Sequence, residues 1–430
     1  MIVERIAKGA YTGLWYFLLP FLLIGIFLCW PCLGRYRSGL SQRFGRVKLD
    51  AAPHRLWIHG ASVGEVLAAK ILIDAIHQQY PHVKILLTTI TWTGAERVIG
   101  FNDERIMHCY FPIDIPFILH HFVKQIKPSG LILLETELWP NLINVCYKKN
   151  IDVVLVNGRL SHKAFGYYQK AIGLFRPAIK AMTTIGVQNQ AIKKQFIALG
   201  AQPQQVIVTG NIKYDLQISE KIQAEARQIR LRWGMNRPVW IAASTRPGEE
   251  PIILKAHGEL IKYVHDALLV IVPRHPQRFD AVASLIKNDN FPFVRFSETT
   301  SQPIDHHVSV VLGDSMGVLL TFYAAADVAL VGGSLVDLGG HNPLEPAALT
   351  LPILSGPYTS NFSDVYQQLM EHNAVTIVND SQDLSKAIER LLSNPSEANN
   401  MAKQANQVYR INQGAVLKTM ALLPASFFRK

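Results

Sequence analysis

From residue 53 to residue 210 the chain repeats one pattern: a short apolar run, a turn, then a stretch whose apolar positions fall three and four apart. The runs Arg55–His59, Lys84–Thr89, Gly130–Leu134, Val153–Asn157, Thr184–Val187 and Val206–Thr209 read as strands. Strands alternating with helical patterns predict a parallel sheet covered by helices on both faces. Between Asn211 and Pro238 the chain is polar and charge-rich without a strand-like run, which reads as a crossing between domains. A second series then follows: Val239–Ala243, Ala267–Val272, Phe293–Phe296, Ser309–Leu312, Val328–Val331, Pro352–Ser355 and Val375–Val378. The polar, helical tail after Asp383 could pack back across both domains. The expected class is α/β, with two Rossmann-like domains facing a central cleft and ligands bound at the C-terminal ends of the strands. The expected boundaries are 1–34 for an N-terminal anchor helix, 35–211 for the first domain, 212–238 for the linker and 239–430 for the second domain with its C-terminal helices.

The N-terminus breaks the pattern. Gly9 to Gly34 contains neither a charged residue nor a histidine, a run of 26 residues where a spanning helix needs roughly 20. Trp15, Tyr16 and Trp30 lie towards its ends, where interfacial aromatics belong. Arg35, Arg37, Arg43, Arg46 and Lys48 follow it without an acid among them, so the positive-inside rule puts the rest of the chain in the cytoplasm. A cleaved signal peptide fits less well, because no A-x-A-like site closes the run. Pro20 could bend the run into a hairpin or an interfacial helix. Because the run ends before the first strand, residues 1–34 are expected to be dispensable for the catalytic fold.

Composition narrows the partners. The 430 residues carry a net charge of +11 and 49% hydrophobic content, which suits an anionic membrane surface or a phosphorylated substrate. No zinc-type Cys/His spacing or RNA-binding aromatic motif supports nucleic acid. The four cysteines are too few for a disulfide framework. Cys29-Trp-Pro-Cys32 has redox spacing but sits inside the apolar run, not after a strand of a βαβ unit.

Candidate chemistry lies in the turns after the strands. Gly60-Ala-Ser-Val-Gly-Glu65 follows the first strand; it lacks the full dinucleotide fingerprint, and Ser62 with Glu65 matches a capping box. Glu65 is also placed to accept a proton from an acceptor hydroxyl, with the helix N-terminus expected to keep it ionised at neutral pH. Glu135 and Glu137 alternate past the third strand of this half and are expected to face one side. Arg159 and Lys213 could meet an anionic substrate, although surface counter-charges would look the same. In the second half, Ser244, Thr245 and Arg246 form a small polar turn, and Arg274 stands between Pro273 and Pro276-flanked His275 as a cation at a strand end. Met316, Gly317 and Val318 open a further helix. The segment Asp327–Pro357 reads as strand, glycine-rich loop, helix and strand, with Asn342 as N-cap, Pro343 at the first helical position and Glu345 three residues after the cap. Such a helix start offers N–H groups to a phosphate, and Glu345 could accept hydrogen bonds from ribose hydroxyls. No acidic pair or His/carboxylate cluster suggests a divalent metal.

Taken together, HGASVGE, ETELWPN, NGRLS, VTGNIKYD, VPRHP, GDSMG and GGHNPLEPAA, in this order from about residue 35 to residue 375, resemble the 3-deoxy-D-manno-oct-2-ulosonic acid (Kdo) transferases of lipopolysaccharide synthesis. The resemblance implies a glycosyltransferase B fold, with an acceptor-binding first domain and a CMP-sugar-binding second domain. It implies inverting, metal-independent transfer of Kdo from CMP-Kdo to the lipid A precursor lipid IVA, at the membrane and without a cofactor. It places the proton acceptor at Glu65, and CMP contacts at Pro273 and Arg274, at Met316, Gly317 and Val318, and at Asn342, Pro343, Leu344 and Glu345. Glu137, Ser244 and Lys213 are further candidates. The family usually has an acid where this chain has Val318, so only backbone contacts carry over there. Two rivals share much of the pattern: a nucleotide-sugar epimerase, which would not need a membrane anchor, and a silent tethered scaffold, which would be free to lose Glu65 and Arg274.

Overall fold

The computed structural model describes residues 2–29, 34, 37, 39–47, 55–216, 218–299 and 303–429. Trp30, Cys32, Arg35 and Lys48, which figure in the expectations for the N-terminus, lie outside the described residues. The chain folds into two compact units: Met1–Asp215 with Gln413–Lys430, and Leu216–Asn412.

The first unit is built on a seven-stranded parallel sheet in the order β3-β2-β1-β4-β5-β6-β7. Its strands are β1 (Leu56–His59), β2 (Ile85–Thr89), β3 (Ile106–Tyr110), β4 (Gly130–Leu134), β5 (Val153–Gly158), β6 (Thr184–Val187) and β7 (Val206–Val208). Helices cover both faces of the sheet interior, so the inner strands are buried and read as continuous apolar runs, while Ile207 on the edge strand β7 is exposed. Trp57, Leu131 and Leu133 pack into the core on one face, and Leu56, Ile58, Ile132 and Leu134 into the core on the other. β3 is the strand that the hydrophobic pattern misses. It lies at the sheet edge, its first three residues are only half-buried, and His108 bonds Thr89 Oγ1 at 2.9 Å instead of entering the core.

The second unit has its own seven-stranded parallel sheet, in the order β10-β11-β9-β8-β12-β13-β14. The strands are β8 (Val239–Thr245), β9 (Leu268–Pro273), β10 (Phe293–Arg295), β11 (Val310–Leu312), β12 (Val328–Val331), β13 (Ile353–Ser355) and β14 (Val375–Ile377). All seven expected runs are strands here. Trp240 and Ala242 face one layer of helices, and Val239, Ile241 and Ala243 the other.

The division of the chain differs from the expected boundaries at both ends of the second unit. The stretch 212–238, expected as a linker between domains, holds helix Glu220–Trp233 of the second unit, where Trp233 packs 5.9 Å from Phe322 between ring centroids. The last eighteen residues, 413–430, belong to the first unit. Asp215 fixes their return, accepting hydrogen bonds from Gly414 N at 2.7 Å and Val416 N at 2.6 Å at the start of helix Ala415–Leu422. Phe428 then stacks on Tyr80 at 4.1 Å. A long-range carboxylate cap of this kind leaves no local sequence signal.

Helix Ile2–Leu28 is long and apolar enough to cross a membrane. Its first half is seated on the first unit. Tyr11 Oη donates to Asp114 Oδ2 at 2.9 Å, Thr12 Oγ1 to Asn141 Oδ1 at 2.9 Å, and the helix packs along helix Ile172–Ala181. Phe17, Phe21, Ile24, Phe27 and Leu28 are exposed. Asp114 is buried, which pushes its pKa up to about 6 against the hydrogen bonds from Tyr11, Leu142 N and Asn141 N.

Candidate active site

In the first unit, β1 ends at His59 and helix Val63–Gln79 begins three residues beyond Gly60. A Cβ on Gly60 would lie 3.3 Å from the backbone carbon of Glu65, so glycine lets the strand end and the first helical turn close on each other. Glu65 Oε2 accepts from Ala61 N at 2.7 Å, and Ser62 Oγ donates to Oε1 at 3.1 Å. Neither bond of the capping box expected from Ser62 and Glu65 forms, because Glu65 takes the N–H of Ala61, the residue before the N-cap, instead of that of Ser62. Ser62 occupies the N-cap without a side-chain cap bond, because its hydroxyl turns to the ionisable carboxylate, the stronger acceptor.

Glu65 is not kept ionised at neutral pH as the helix position predicts. Burial, then the negative charges of Glu137 and Glu135, push its pKa up to about 7 against the bonds from Ala61 and Ser62. The two neighbours come from the turn after β4. Burial alone would raise the pKa of Glu137, but His59 and the indole of Trp139 hold it below the usual carboxylate value. Trp139 Nε1 donates to Glu137 Oε2 at 2.8 Å. Glu135 and Glu137, expected to face one side, both bear on Glu65 but hold different partners. The strand stops at Leu134 and Glu135 adopts a left-handed φ of 55°, which turns its carboxylate to Lys213 Nζ and towards Arg159, 3.8 Å away. Lys213 sits over the same helix start, since a Cβ on Gly64 would lie 3.7 Å from its Nζ. The turn thus joins a carboxylate poised near pH 7, a second held ionised, and a lysine.

The second unit gathers its candidates at the C-terminal ends of its strands. Ser244, with φ 57°, and Thr245 end β8, and Gly332 N reaches back to Ala243 O at 2.8 Å. Pro273 ends β9, and the backbone of the exposed Arg274 bonds Thr245 O at 3.0 Å. Met316 is exposed, Gly317 takes φ 84°, and Val318 stands at the N-cap of helix Leu319–Ala325. The helix expected to open at Asn342 instead runs only from Leu344 to Ala348, with Pro343 at its N-cap. Asn342 Oδ1 accepts from Leu344 N at 3.1 Å, an Asx-type turn that substitutes for the first helical residues. Five residues align few peptide dipoles, so cationic side chains carry more of any anion binding here than the helix start does. Glu345 is pushed up to about 7 by burial, opposed by the charge of Arg274 and by Asn342.

Residues 38–216 match the family described as 3-deoxy-D-manno-octulosonic-acid transferase (kdotransferase), and residues 253–408 match glycosyl transferases group 1. A 3-deoxy-D-manno-octulosonic acid transferase of Haemophilus influenzae is 39% identical over 416 residues, covering 96% of this chain and 97% of that protein. The chain belongs to the Kdo transferase family. It is a glycosyltransferase of lipopolysaccharide synthesis. A second transferase of that name, from Bordetella pertussis, is 31% identical, covering 91% of this chain and 92% of that protein. Among solved structures, the UDP-GlcNAc 2-epimerase of Neisseria meningitidis aligns with a TM-score of 0.59 and 16% identity, covering 86% of this chain and 99% of that one. That likeness shows the glycosyltransferase B-type fold alone, so the epimerase reading gives way to the family.

In this transferase several site residues escape sequence reasoning. His59 reads as the last core residue of a strand, yet its Nε2 faces Glu137. Glu249, fully buried, accepts from the backbone N–H groups of Arg246, Gly333, Ser334 and Leu335 at 2.7–3.0 Å. It anchors the glycine-rich loop after β12 to the turn after β8. Three of its four partners are main-chain groups of a segment far along the chain, so no local motif announces this role. Among the described residues, no group of three or more His, Cys, Asp or Glu is arranged as metal ligands would be.

Proposed function

We propose that the chain transfers Kdo from CMP-Kdo to lipid IVA, with inversion at the anomeric carbon and without a metal ion. The observation that carries this reading is Glu65, a carboxylate with pKa near 7 beside the ionised Glu137. A base works best when its pKa lies near the operating pH. The acceptor hydroxyl oxygen attacks the anomeric carbon of Kdo from the face opposite the phosphate, while Glu65 takes its proton. The anomeric C–O bond breaks, and its electron pair leaves with the CMP phosphate, whose charge Arg274 balances. Glu345 accepts from the ribose hydroxyls, and the backbone at Met316–Val318 and Asn342–Leu344 lies against the rest of the nucleotide. Lys213, held by Glu135, is placed to meet negative charge on the acceptor or on the reacting sugar.

The site of work in this reading is the cytoplasmic side of the inner membrane. Exposed Phe17, Phe21, Phe27 and Leu28 on the N-terminal helix and the net charge of +11 favour attachment to an anionic bilayer. The direct test incubates the purified protein with CMP-Kdo and tetra-acylated lipid A precursor and weighs the lipid product. A product heavier by whole Kdo residues is expected, and an unmodified acceptor with intact CMP-Kdo would refute the reading.

A further inference from the structure

The second unit places more positive charge around Arg274 than one phosphate requires. Arg246, half-buried in the turn after β8, directs its guanidinium at His275 Nε2. Arg278 is already committed to Glu250, a fully buried carboxylate that also accepts from Thr245 Oγ1 at 2.9 Å. Glu249 is committed to four backbone N–H groups. Among the described residues, neither Arg246 nor Arg274 has a carboxylate within ion-pairing distance.

Beside Arg246, across Gly333, lies an unsatisfied group. His341 Nε2 is buried with no hydrogen-bond partner among the described residues, and a buried unpaired polar atom costs stability unless something fills its valence. Burial, then the charges of Arg274, Arg246 and His275, push the His341 pKa down to about 4, so the ring is neutral near pH 7. Gly333, with φ 69°, opens the floor on which they meet: a Cβ there would lie 3.1 Å from His341 Nε2 and 3.6 Å from Arg246 Cγ.

The donor chemistry explains a doubled cation. In a CMP-activated 2-ulosonic acid, the anomeric carbon carries both the phosphate oxygen and the C1 carboxylate. Two negative groups therefore sit one carbon apart. A site for a nucleotide of a neutral sugar needs a cation for the phosphate only, whereas this donor needs a second one beside it. We propose that Arg246, assisted by His341, is the subsite for the sugar carboxylate, next to a phosphate position at Arg274. The subsite rests on the CMP-Kdo reading given above. It makes the donor unit selective for an acidic sugar, because a neutral sugar would leave the Arg246 guanidinium without its counter-charge.

Calorimetry without acceptor, comparing CMP with CMP-Kdo, tests this. Wild-type protein is expected to bind CMP-Kdo more tightly than CMP. Arg246→Gln should weaken CMP-Kdo about 10- to 100-fold and CMP less than about 3-fold, as expected for one charge-assisted hydrogen bond that only the sugar can make. Arg274→Ala should weaken both ligands. His341→Gln should reduce the preference for CMP-Kdo in the same direction, and serves as the readout should Arg246→Gln melt early. A preference that survives both Arg246→Gln and His341→Gln overturns the subsite and leaves the donor assignment standing, as does equal weakening of CMP and CMP-Kdo. Wild-type protein that binds neither ligand overturns the donor assignment itself.

Discussion

His59 Nε2 lies 3.3 Å from Glu137 Oε2, and this contact sorts charge between two neighbouring carboxylates. The imidazole cannot turn away. Its Nδ1 is 3.1 Å from Thr88 O and 3.0 Å from Thr88 Oγ1, and the ring stacks on Phe111 at 3.9 Å. Held in this way, the imidazole keeps Glu137 ionised, and the negative charge of Glu137 helps to lift Glu65 to about 7.

Removing that charge gives the first prediction. In Glu137→Gln the Glu65 pKa falls towards the ordinary value. The ionised, basic form then persists to lower pH, so the rising limb of kcat/KM should move to lower pH than in wild type. A pH–rate profile measures this independently of any fall in the plateau. A limb that stays near pH 7 would show that Glu137 does not set the Glu65 proton.

Tyr11 and Asp114 give the second. Tyr11→Phe leaves the buried Asp114 short of one donor, which costs about 1–3 kcal/mol when the carboxylate is charged. The native pKa of Asp114 is raised to about 6, so this loss should be small at pH 5 and full at pH 8. Deleting residues 1–34 should act in the same direction, lowering the melting temperature above pH 6 and weakening membrane association, while activity in detergent persists. Melting curves at the two pH values check this; a truncated protein as stable as the full chain at pH 8 would show that the helix merely rests on the domain.

These two residues also show where sequence reasoning stops. The N-terminal helix is legible as an unbroken apolar run, but its docking is not, because Tyr11 meets a carboxylate at residue 114. The five inner strands of the second unit are legible because each is buried. Its edge strands β10 and β14 are as half-covered as Ile106–His108 of β3, so edge position alone does not hide β3; His108 also interrupts its apolar run. Glu65 stands out by its place after a strand and a glycine turn. Its pKa does not, since burial and the approach of Glu137 exist only in the folded chain. Glu249 follows the same rule: three of its four backbone partners, Gly333, Ser334 and Leu335, are distant in sequence.

A third prediction concerns the nucleotide. Arg274→Ala should weaken CMP by roughly 1.5–3 kcal/mol, about 10- to 150-fold, through loss of a charge-assisted hydrogen bond. Glu345→Ala should weaken it as well, by removing the ribose acceptor. Unchanged CMP affinity in both variants would take the nucleotide out of the second unit.

Glu249→Gln is the fourth. An amide offers one acceptor oxygen where the carboxylate offers two, and its NH2 would face backbone donors. The loop Gly332–Leu335 should loosen, at a cost of about 1–3 kcal/mol in stability, with weaker CMP binding. Hydrogen exchange at Gly333, Ser334 and Leu335 would report it; exchange as slow as in wild type would show that the carboxylate does not hold the loop.

Whether Glu65 is the base is decided by Glu65→Gln. The amide keeps the size and can still accept from Ala61 N, so the turn should hold its shape. It cannot take a proton. Single-turnover and steady-state rates with CMP-Kdo and the lipid acceptor should fall by about 10²–10⁴-fold, with CMP affinity and melting temperature close to wild type at pH 7. Turnover at the wild-type level in Glu65→Gln would remove Glu65 from the mechanism and move the search for the base to Glu135 and Glu137.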